Sequence, residues 1–71
     1  MTDKEYDEMK ARMHKANVLR QRIGIAKENV RVYTHMEGVF ADHDGRRDNA
    51  TKQIKKWITI LKELNSQFKQ L

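Results

Sequence analysis

The stretch IKKWITILKELNSQFKQL, residues 54–71, decides how this chain folds. Ile54, Trp57, Leu61, Leu64, Phe68 and Leu71 recur in it at alternating steps of three and four residues. This is the a/d spacing of a coiled-coil seam, and such a seam is stable only against another helix. Ile58 and Ile60 flank it and widen the apolar face. Full burial of an Ile or Leu side chain contributes about 1.5 to 3 kcal/mol, so so broad a face predicts cover on more than one side. The expected self-association or partner interface is therefore Ile54, Trp57, Ile58, Ile60, Leu61, Leu64, Phe68 and Leu71.

The upstream half offers the first covering helix. Thr2 followed by Glu5 has the spacing of a capping box, with Asp3 and Glu5 at the dipole's positive end. Tyr6, Met9, Met13, Ala16, Leu19, Ile23, Ala26 and Val30 then follow at steps of three or four, making one apolar face. Gly24 costs such a helix about 1 kcal/mol relative to Ala, but the period continues through it. A helix over about 3–29 follows.

Residues 30–46 form the expected connector, and here two readings compete. Val30, Tyr33, Met36 and Phe40 continue the helical stripe. The run Val30-Arg31-Val32-Tyr33-Thr34-His35 also alternates like a strand and is rich in β-branched and aromatic residues. A strand would turn at Glu37-Gly38 and return through Val39-Phe40-Ala41. Matching the two helix lengths favours an irregular or short β-hairpin connector over about 30–45. Asp42-His43-Asp44-Gly45 reads as a turn, with Asp44 or Asp48 capping a second helix over about 47–71.

Composition bounds the rest. Leu, Ile, Val and Phe number 15 of 71 residues, a fraction close to that of chains that stay disordered. There is no cysteine to supply disulfides or thiolate chemistry. A single thin-cored domain spanning 1–71 is implied, for which self-association is the available source of further burial. Met1 is followed by Thr2, Asp3, Lys4 and Glu5, unlike a signal peptide, and Trp57–Leu61 is far shorter than the roughly 20 apolar residues of a membrane span. The expectation is a soluble, cytoplasmic protein with no membrane contact.

Charge gives a second functional reading. The chain carries 15 Lys and Arg against 10 Asp and Glu. Residues 10–31 hold seven basic groups against Glu28 alone, and residues 46–62 hold six against Asp48 alone. Arg46, Arg47, Lys52, Lys55 and Lys56 could contact a phosphate backbone, with Tyr33 or Phe40 against bases. No module spacing accompanies them, and lysine-rich helix faces commonly serve solvation.

Catalytic arrangements are thin. His14, His35 and His43 lack the i, i+4 spacing of a helical metal pair. Asp42, His43 and Asp44 fail the calcium-loop pattern, because Arg46 stands where a ligand is needed and no Glu closes the loop. Ser66 is the only serine and no Gly-rich phosphate loop occurs. Met1, Met9, Met13 and Met36 supply adaptable apolar surface rather than chemistry. The expectation is a mainly α protein, an antiparallel helical hairpin assembling as a dimer or higher bundle. It needs no cofactor or metal, is not an enzyme, and binds or inhibits another macromolecule. That partner is a protein or, as the alternative, a nucleic acid.

Overall fold

A computed structural model describes residues 2–71, and Met1 lies outside the described residues. Two helices, α1 (Asp3–Val39) and α2 (Asp44–Lys69), run antiparallel as a hairpin, with no strand among the described residues. The molecule is a rod of 62 × 14 × 13 Å. No described helix is long and apolar enough to cross a membrane.

α1 begins where its cap is written. The Glu5 backbone N–H donates to Thr2 Oγ1 at 3.2 Å, and Asp3 and Glu5 sit in the first turn. The helix passes through Gly24 without positive φ, and no atom would meet a Cβ built there within 4 Å. Gly24 is therefore tolerated and does not serve a close helix approach.

The connector differs from expectation. Residues 30–39 continue α1 as helix, so neither a β-hairpin nor an irregular segment spans 30–45. The apolar period of Val30, Tyr33, Met36 and Phe40 prevails over β-propensity, because it keeps all four half-buried in the hairpin. Thr34, one of the β-branched residues of this run, turns its hydroxyl back to donate to the Val30 carbonyl at 2.6 Å. Gly38 takes negative φ inside the helix and turns nothing.

The real reversal occupies residues 40–43. Phe40 N–H donates to the Met36 carbonyl at 2.9 Å and His43 N–H to the Phe40 carbonyl at 2.8 Å. α2 starts at Asp44, earlier than about 47, with His43 as N-cap and no side-chain capping bond. Asp44 and Asp48 are thus not caps. Asp44 instead places its carboxylate in the first turn, where the helix dipole favours it.

Length matching fails as well, because the arms are unequal at 37 and 26 residues. Thr51 bonds Glu37, and the Arg20 guanidinium lies 5.5 Å from the Phe68 ring centroid. In both pairs the residue numbers add to 88, a register that sets Leu71 beside Asn17. Asp3–Ala16 therefore projects past the end of α2 by roughly 21 Å at about 1.5 Å per residue.

The core between the arms is narrow. Leu19, Ala26 and Leu64 are buried together, with Ile23, Trp57, Ile60, Leu61 and Phe68 packed partly against them. Ala50 is buried nearer the turn.

Candidate interaction surfaces

The seam residues are only partly satisfied within one hairpin. Leu64 is buried; Ile54, Trp57, Ile60, Leu61 and Phe68 are half-buried; Ile58 and Leu71 are exposed. Consecutive helix residues lie about 100° apart, so Ile58 and Ile60 fall on opposite flanks of the buried line.

On the Ile60 flank, Arg22, Ile25, Trp57, Ile60 and Leu64 line an open apolar groove of about 260 Å³. Ile25 is 59% exposed at its rim. Val18, Ile25, Val32 and Val39 follow one another at steps of seven along α1, and the last three are exposed. This β-branched line is absent from the expected interface. Its seven-residue repeat is the signal that would have found it, overshadowed by the 3–4 stripe through Leu19 and Ala26.

On the Ile58 flank, Ile54 and Leu61 accompany Ile58. By the same 100° step counted from Leu19, Tyr6, Met9 and Met13 of the projecting arm fall on the side opposite Ile25, the Ile58 side, and all three are exposed. Tyr6 is covered in part by Lys10, whose Nζ is 5.6 Å from the ring centroid.

The basic candidates divide. Arg47 closes the turn: it donates through one guanidinium nitrogen to the Ala41 carbonyl at 2.9 Å and through another to Asp44 Oδ1 at 3.1 Å. This pairing offsets the cost of placing an arginine at the positive end of the α2 dipole. Arg46 lies over the Phe40 ring at 5.0 Å, with His43 edge-on to the same ring at 6.4 Å. Phe40 is thereby occupied, and Tyr33 is half-buried against the hairpin. Lys52, Lys55 and Lys56 remain exposed on the outer side of α2, Lys56 lying 5.9 Å from the Trp57 ring.

On the outer face of α1, Arg31 pairs with Glu28 through two side-chain hydrogen bonds. The Arg31 bonds hold the Glu28 carboxyl below the ordinary glutamate range, and the same contact raises Arg31. Among the described residues no group of three or more His, Asp or Glu side chains gathers as a metal site.

The total accessible surface is 5820 Å². A globular monomer of 8.5 kDa exposes about 4,700 Å² by the usual mass scaling. The excess is roughly 1,100 Å² per chain on that scaling, and large hydrophobics contribute to it on both flanks. Comparison with protein-family models, curated proteins and solved structures finds no match to the chain.

Proposed function

We propose that this chain is a small non-enzymatic interaction protein that self-associates through α2 and binds or inhibits another macromolecule. The uncovered apolar surface carries the reading. Among the described residues only Leu19, Ala26, Ala50 and Leu64 are buried hydrophobics, while eight large hydrophobics stay exposed. A core this small leaves a lone hairpin marginal, and further burial is the available remedy in a chain without cysteine.

The two flanks suit two tasks. The Ile58 flank faces the same side as the arm and suits a copy of the chain. The Ile25–Ile60 groove, open and apolar, suits an amphipathic helix of a protein partner. Sedimentation equilibrium at micromolar concentration tests the first part. A mass of two or more chains is expected, and a stable folded monomer overturns it. For the groove, Ile25→Glu should lose a protein partner that the wild type recovers while remaining equally helical. Equal recovery counts against that groove.

The exposed trio Lys52, Lys55 and Lys56, with a net charge of +5 on the chain, favours nucleic-acid binding as the second reading. A DNA and RNA titration over a salt series tests it. On duplex DNA the log–log slope should be about −0.9 for each phosphate neutralised. Absence of binding at low salt removes it.

A further inference from the structure

We infer that two copies pair antiparallel, with the projecting N-terminal arm of each, Asp3–Ala16, laid along the Ile54–Ile58–Leu61 flank of the other. The inference rests on the self-association reading and specifies its geometry. Its starting point is the mismatch between the arms. The arm carries Tyr6, Met9 and Met13 with no α2 residue beside them, while α2 exposes Ile58 near its midpoint on the same face.

Charge fixes the direction. Asp3–Glu8 holds Asp3, Glu5, Asp7 and Glu8 against Lys4, a net −3. At the turn end, Asp42–Lys56 holds Arg46, Arg47, Lys52, Lys55 and Lys56 against Asp42, Asp44 and Asp48, a net +2. These segments lie at opposite ends of the rod. Parallel copies would set acidic beside acidic and basic beside basic, whereas antiparallel copies set each acidic arm tip, Asp3–Glu8, level with the partner's basic segment.

Steps agree with charge. When the rods overlap along their full length, helix rise brings Met9 level with the partner's Ile54, Met13 with the partner's Ile58, and Ala16 with the partner's Leu61, to within about one turn. Both series run four residues and then three. Asp7 comes level with the partner's Lys52 in the same register.

Site-specific cross-linking tests the arrangement on the full chain, which has no cysteine of its own. Met13→Cys and Ile58→Cys single variants are prepared, and a thiol-directed cross-linker reaching about one helix diameter, roughly 10 Å, is applied. Mixed, the two variants should give covalent dimers. Alone, neither should, because like positions on antiparallel copies stand roughly 25 Å apart along the rod. A Met13→Cys self-cross-link, or a dimer by sedimentation with no mixed product, overturns the arm placement and leaves self-association intact. A folded monomer overturns both. Asp7→Lys with Glu8→Lys should weaken dimerisation about tenfold, with recovery on mixing with a Lys52→Glu, Lys55→Glu chain. Unchanged dimerisation in these helical variants rejects the charge pairing, and with it the stated direction.

Discussion

The Thr51 hydroxyl donates to Glu37 Oε2 at 2.5 Å, a side-chain bond joining α1 to α2 just inside the turn. The same oxygen lies 3.0 Å from the Arg47 carbonyl, its own helix's backbone. The hydroxyl has one proton, and the shorter contact with a carboxylate takes it. Thr51→Val should lower stability by about 1 kcal/mol, since Glu37 keeps partial access to water. Denaturant unfolding followed by circular dichroism, at fixed chain concentration, checks this. An unchanged midpoint would leave that bond without weight.

Gly38 distinguishes the observed helix from a hairpin turn. It sits in α1 with negative φ, and a Cβ would meet nothing within 4 Å. Gly38→Ala should therefore stabilise the fold by about 0.5 to 1 kcal/mol. A raised thermal midpoint is the expected outcome. A drop would mean that this segment turns.

Arg47 should behave as a fastener of the turn. Arg47→Ala loses the bonds to Ala41 and Asp44, a loss of about 1 kcal/mol after allowance for exposure. Arg47→Lys should restore less than half, because an ammonium cannot reach both acceptors as a fork does. Thermal melts of the two variants against wild type decide it.

Leu64 anchors the narrow core with Leu19 and Ala26. Leu64→Ala should cost about 2 to 5 kcal/mol, enough to unfold much of so thin a structure. Loss of helical signal at room temperature is the readout. Retention of wild-type stability would mean that the inter-helix core lies elsewhere.

Glu28 gives a pH signature. Its hydrogen bonds from Arg31 lower its pKa in the folded chain, so the bond's contribution is present above the unfolded glutamate pKa. It is lost as pH falls through the lower folded value. NMR titration of the Glu28 side chain should place its midpoint below that in an Arg31→Ala variant, with the gap narrowing in high salt because both groups are exposed. Identical midpoints in the two proteins would rule the pair out.

Much of the hairpin is legible in the residues. The Thr2 cap, the 3–4 stripe through Leu19 and Ala26, and the seam through Trp57, Leu61, Leu64 and Phe68 are local periodic signals, and the helices carry them in contact. The 30–39 segment is not, since Val30, Val32, Tyr33 and Thr34 suit strand and helix alike and only packing against α2 separates the two. Helix lengths are not legible either, for a related reason. Nothing local makes two arms equal, and Tyr6, Met9 and Met13 extend the period beyond the reach of α2. Of the basic residues, composition cannot distinguish Arg47, spent on the turn, from Lys52, Lys55 and Lys56, left free on the outside.

A body more than four times as long as it is wide drags more solvent than a sphere of equal mass. On a sizing column it will elute early, and one copy can masquerade as two. Counting subunits of this protein therefore calls for light scattering or sedimentation equilibrium, which weigh particles irrespective of their shape.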